Sequence, residues 1–111
     1  MERKEFEEFS KNFGRNELVN YLEKLEDGKT IDFTETYWGH SVEIKPNNNI
    51  IKGFMFDVVG FCAQKVNAND ILKLKTKQGK ILKTVILAVD NEVDPKDMFF
   101  GYLVSLGEWE D

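Results

Sequence analysis

The stretch ILKTVILAV, residues 81–89, is what most constrains the fold of this chain. Read as an extended strand it is apolar at both parities. Leu82, Ile86 and Ala88 face one way, and Ile81, Val85, Leu87 and Val89 face the other. Side chains alternate across a strand, so neither face of such a segment can stay in water. It belongs in the middle of a sheet with a second layer over it. The segment before it, ILKLKTK, alternates Lys73, Lys75 and Lys77 with Leu72, Leu74 and Thr76. The two segments read as a hairpin turning at Gln78 and Gly79, with a half-exposed first arm and a central second arm. A two-residue loop sets Leu74 opposite Lys83, and a three-residue loop sets Lys73 opposite Lys83. Neither register is clean, so a bulge is expected.

Cover for the central strand is available at the N-terminus. Phe6, Phe9 and Phe13 are spaced three and four apart, which places them on one helical face. Gly14 interrupts, Asn16 is a suitable N-cap, and Leu18, Leu22 and Leu25 resume the helical spacing. Gly28 is expected as the left-handed residue that ends the helix. Residues 1–28 are therefore predicted to form a helical cap.

From Thr30 the period falls to two. In TIDFTETYW, Ile31, Phe33 and Tyr37 share a face, and SVEIK turns Val42 and Ile44 inward. IIKGFMFDVVGFCAQKV is read as strand, with Gly53 and Gly60 marking bulges or bends. MFFGYLVSLGEW gives a last strand with Phe100, Tyr102, Val104 and Leu106 on one side. The expectation is one α+β domain over residues 1–111. Its helical segment packs on residues 29–111, which form a strongly bent antiparallel sheet or small β-barrel of five to six strands.

Several function classes lack their residues. The N-terminus MERKEFEEF has no apolar stretch of signal-peptide type, and no run approaches a membrane span. The only cysteine, Cys62, suits a reducing compartment and reads as a small buried hydrophobe. A cytoplasmic protein without membrane contact is expected. One histidine and one cysteine are too few for a metal centre, and no cofactor motif is present. Asp90, Glu92 and Asp94 begin like a calcium loop. However, Pro95 stands where that loop needs glycine, and Gly101 where it needs a bidentate glutamate. No set of acid, base and nucleophile can be named, so no enzyme activity is expected.

Charge offers the remaining clue. The net charge is −5, but residues 61–83 hold six lysines against Asp70, while residues 84–111 hold seven acids against Lys96. The acids Asp90, Glu92, Asp94, Asp97, Glu108 and Glu110 are the candidate partner-binding set. Tyr37, Trp38 and Trp109 are the candidate aromatic anchors. On this reading the chain is a small regulator or inhibitor that binds another protein, one that is itself basic or nucleic-acid-binding. The composition has the style of phage or mobile-element accessory proteins, counter-defence proteins among them. A homo-oligomer is also compatible. Two alternatives stand beside it. One is a nucleic-acid-binding barrel that uses Lys73, Lys75, Lys77, Lys80 and Lys83, although that segment contains no arginine. The other is a small enzyme or ligand binder built on His40 and nearby aromatics.

Overall fold

A computed structural model describes residues 1–34, 41–91 and 98–110. Two helices, α1 (Arg3–Phe9) and α2 (Arg15–Glu23), precede six strands. These are β1 (Thr30–Asp32), β2 (Ser41–Asn47), β3 (Met55–Phe61), β4 (Ile71–Lys75), β5 (Ile81–Asn91) and β6 (Met98–Glu108). They form one sheet in the order β1-β4-β5-β6-β3-β2. The fold is α+β, and the doubly apolar segment is β5, in the interior of the sheet as its pattern requires. Among the described residues no helix is long and apolar enough to cross a membrane.

Two expectations about the sheet are corrected. It is mixed, because β1 pairs with β4 in parallel while the other four pairings are antiparallel. It is also open, because β1 and β2 lie at its two ends and do not pair with each other. The sheet is nonetheless curved. Phe33 extends the β1–β4 ladder, its N–H bonding the Lys73 carbonyl at 2.8 Å. Two strands, β4 and β5, separate it from β6, which on a flat sheet means ~14 Å. Yet the Phe33 and Phe99 ring centroids are 6.2 Å apart. The sheet therefore curls around a core of Ile31, Phe33, Val58, Cys62, Leu72, Leu74, Ile86, Phe99 and Leu103. Its other face carries the helices over Val85, Leu87, Ala88, Tyr102 and Val104.

The hairpin takes the three-residue register, with Lys73 opposite Lys83 and Leu74 opposite Leu82. No bulge interrupts this ladder, contrary to expectation; the irregularities lie on the opposite side of β5. Ile86 pairs with Leu103 and Ala88 with Tyr102, so β5 holds an extra residue there. Leu82 pairs with Glu108 and Thr84 with Ser105, so β6 holds one near Gly107, whose φ is +107°. The first bulge resets the parity of β5. Leu87 and Ala88 both enter the helix-side core, and Val89 joins Ile86 in the curled one. Gly101 lets the two strands close at this point. A Cβ there would run into the Ala88 carbonyl oxygen and the Ile86 side chain.

Other local readings shift. The N-cap of α2 is Gly14 rather than Asn16, and the Glu17 carboxylate accepts the Gly14 N–H at 3.0 Å. Helix α2 stops at Glu23, four residues before Asp27. Gly28 is not left-handed. It is required because a Cβ would strike the Asp70 carboxylate. The long apolar segment from Ile50 forms a strand only over β3. Ile51 and Gly53, at φ 46° and 91°, turn the chain before it, whereas Gly60 keeps regular register. Phe6 and Leu18 are fully buried, but Phe9 is 46% exposed and packs on Phe13 and Tyr21 from outside.

Asp70 ties β1 to the sheet. It is 2% exposed and accepts the Asn67 N–H at 2.8 Å, the Lys29 N–H at 3.2 Å and the Lys29 ammonium at 2.8 Å. Buried carboxylates persist where donors of this kind replace water.

Candidate functional site

The antiparallel β5–β6 pair separates the candidate acids into two groups. Asp90 pairs with Phe100, while Leu82, eight residues earlier on β5, pairs with Glu108. At strand rise the two groups lie ~26 Å apart. Glu92, Asp94 and Asp97 fall outside the described residues, as do Tyr37, Trp38 and His40.

At the Asp90 end, helix α1 brings acids that sequence reading did not select. The Val89 N–H donates to the Met1 carbonyl at 3.1 Å. The Arg3 Nε donates to Asp90 Oδ2 at 2.6 Å, and the Arg3 backbone N–H to Oδ1 at 3.2 Å. Burial works to lower the Arg3 pKa, but the hydrogen bond and charge of Asp90 outweigh it and hold the guanidinium above its usual range. This clasp places Glu2 and Glu5 around an open pocket of about 540 Å³ together with Asp90 and Asn91. Lys65 is the basic residue on the same wall. The partners are almost the length of the chain apart, and no local pattern could have joined them.

At the other end the acids meet the lysines. Lys80 lies 3.4 Å from Glu108. The Lys73 ammonium sits 4.7 Å from the centroid of the Trp109 ring, within cation–π range. Trp109 is half-buried against the helix-side core, and its backbone N–H donates to the Ile81 carbonyl at 2.8 Å. Glu110 is exposed beside them, lining an open pocket with Lys83, Leu106 and Glu108. Lys75, Lys77 and Lys80 are exposed, while Lys73 and Lys83 are half-buried. The lysine arm is not an edge strand, since β1 covers it as far as Lys73.

A third region went unnoticed in the sequence. The helices leave the β2–β3 part of their face open. A groove of about 490 Å³ runs there, lined by Arg3, Glu43, Lys45, Asp57, Phe100 and Tyr102 among others. Arg3 stands over the Phe100 ring at 5.1 Å. The Tyr102 hydroxyl donates to Glu7, and burial followed by that bond pushes the Tyr102 pKa well up. Asn47 Nδ2 holds Asp57 at 2.7 Å. Phe61, on the same face of β3, is 37% exposed. Among the described residues no three His, Cys, Asp or Glu side chains gather as a metal set, and Cys62 is buried.

No protein family matches this chain, no curated protein resembles its sequence, and no solved structure resembles its fold significantly.

Proposed function

We propose that this protein acts by binding another protein, as a regulator or inhibitor with no chemistry of its own. The contact is the acidic end of the sheet, and its target is a basic surface. The observation that carries this reading is the clasp of α1 on β5, which gathers Glu2 and Glu5 around the pocket that Asp90 borders. In the sequence, Glu92, Asp94 and Asp97 follow directly after β5. Carboxylates grouped in this way speed association with a basic partner and set partner choice. Nucleic-acid binding through the lysine arm is the weaker reading. Lys80 is matched by Glu108, and Lys73 stands against Trp109, with Glu110 adjacent. These acids counter the charge that would attract phosphate.

The test uses the full chain to capture its partner from the source cell, followed by binding kinetics. A variant with Glu2→Gln, Glu5→Gln, Glu92→Gln, Asp94→Asn and Asp97→Asn leaves Asp90 in place, so the clasp on Arg3 is kept. It should associate more slowly and with a flatter salt dependence than the unaltered chain. Unchanged kinetics at every salt concentration would mean that these acids are merely solvated, and the reading would fall.

A further inference from the structure

The two edges of the sheet differ in a way that charge patterning explains. Edge β1 has three residues, too few to recruit another strand, whereas edge β2 has seven. All seven pair with β3 on one side, and among the described residues no strand lies on the other. Ser41 and residues 43–46 are exposed, including Ile44 at 40%. Proteins usually shorten, cover or charge such an edge. This one does carry charge, but the charges are arranged as a match to themselves.

The segment is Ser-Val-Glu-Ile-Lys-Pro-Asn. An antiparallel second copy centred on Ile44 sets Glu43 opposite the partner's Lys45, and Lys45 opposite the partner's Glu43. In the same register Val42 meets the partner's Pro46, Ser41 meets the partner's Asn47, and the two Ile44 side chains meet on the axis. The faces agree as well. Glu43 and Lys45 stand opposite Val59 and Asp57, on the side that carries the helices. Val42, Ile44 and Pro46 stand opposite Gly60, Val58 and Phe56, on the curled side, where Val42 and Phe56 already pack on the core. Ion pairs would thus form on one face, and the exposed Ile44 would be covered on the other. Pro46 lacks an N–H and withholds one ladder bond in each half, which keeps the pairing modest.

We propose that the protein self-associates as a two-fold dimer through β2, joining two six-stranded sheets into one. The dimer also changes what lies beside the open groove. Glu43 and Lys45 line it together with Arg3, Asp57 and Phe100. Across the axis the partner's Lys45 and Glu43 extend that wall, so the two grooves become one trough bridging both copies. The pairing itself involves only β2 and so does not depend on the acidic end, although the groove beside it shares Arg3 with the clasp on Asp90.

Sedimentation equilibrium of the full chain at low salt, from micromolar to millimolar concentration, provides the test. The unaltered chain should dimerise. Glu43→Lys gives a copy with two cations facing its twin, and Lys45→Glu a copy with two carboxylates. Each variant alone should associate more weakly, on the order of tenfold, because both symmetry-related pairs turn repulsive. Mixed one to one, the two variants complement each other and should recover the dimer. The double variant Glu43→Lys/Lys45→Glu should recover it within a single chain. Both positions are exposed, and circular dichroism should show the fold unchanged. A chain that stays monomeric throughout would overturn the proposal and assign Glu43, Lys45 and Pro46 to guarding the edge. So would single variants that dimerise as well as the unaltered chain, or a mixture that does not recover.

Discussion

Replacing Asp70 with alanine should loosen β1 before it unfolds the rest. The carboxylate is 2% exposed and takes two backbone N–H groups, from Asn67 and Lys29, besides the Lys29 ammonium. Alanine leaves both N–H groups without an acceptor, at about 1–3 kcal/mol each. The ammonium loses less. It is 37% exposed and keeps its bond to the Lys65 carbonyl at 2.7 Å. The sum is about 2–6 kcal/mol, a large part of the 5–15 kcal/mol typical of a whole domain. Urea unfolding followed by tryptophan fluorescence should show the midpoint falling by ~2 M with little change in slope. Amide exchange should localise the loss. Phe33 donates to the Lys73 carbonyl and Ile71 to the Lys29 carbonyl, so these two amides report the β1–β4 ladder. They should lose more protection than Leu103, at the centre of the sheet. Asp70→Asn keeps one acceptor oxygen and should fall between the two. A loss below ~1 kcal/mol in Asp70→Ala, or equal loss of protection at Leu103, would refute the view that this carboxylate fastens β1.

Three further outcomes are expected. Tyr102→Phe removes the hydroxyl that donates to Glu7 and should cost about 1–2 kcal/mol near neutral pH. The folded-state pKa of Tyr102 lies above its ordinary 10.0, so the unfolded chain releases this proton first and stability is lost as pH rises past that value. Alkaline denaturation should therefore be shallower in the phenylalanine variant than in the parent. Gly101→Ala forces a methyl against the Ala88 carbonyl and Ile86, and should cost about 3 kcal/mol by thermal or urea unfolding, whereas an ordinary strand position would gain from alanine. Replacing Lys73, Lys75 and Lys77 with glutamine should lower solubility while leaving nucleic-acid retention on filters at low salt unchanged. Tight, salt-sensitive retention that the triple variant abolishes would reverse that conclusion.

The strength of each sequence signal tracks how local its cause is. The position of β5 followed from its own residues, because nine consecutive side chains admit only a central strand. Lys73 opposite Lys83 was one of two registers that the turn allowed. The parallel placement of β1 was not legible, because its partner β4 follows only after β2 and β3, and TID alone carries no direction. The parity of Ala88 and Val89 was misread because a bulge is decided by the neighbouring strand, here through Gly101. Gly28 shows the same limit, since a glycine kept for close approach to Asp70 looks in sequence like one kept for a left-handed turn. In the candidate site, Asp90, Glu108 and Trp109 were legible as acidic or aromatic residues at strand ends. The recruitment of Glu2 and Glu5 depends on contacts between the two ends of the chain. The open β2–β3 face arises only because two short helices cannot span six strands.

The layering of α1 on β5 and β6 also governs when this chain can fold during its own synthesis. Translation delivers the helices first, and with them Phe6 and Leu18, which are buried in the finished molecule. Their floor, formed by Val85, Leu87, Tyr102 and Val104, leaves the ribosome last. Strand β1 likewise waits for β4, whose Ile71 pairs with Thr30. Strand β2 with β3, then β4 with β5, and last β5 with β6, can close on neighbours as they emerge. The nascent chain thus carries its apolar helical stripe exposed until β6 is complete, a topology in which distant contacts dominate and folding is slow. A chain released after β5 would hold two hairpins and a pair of helices with half of their floor missing.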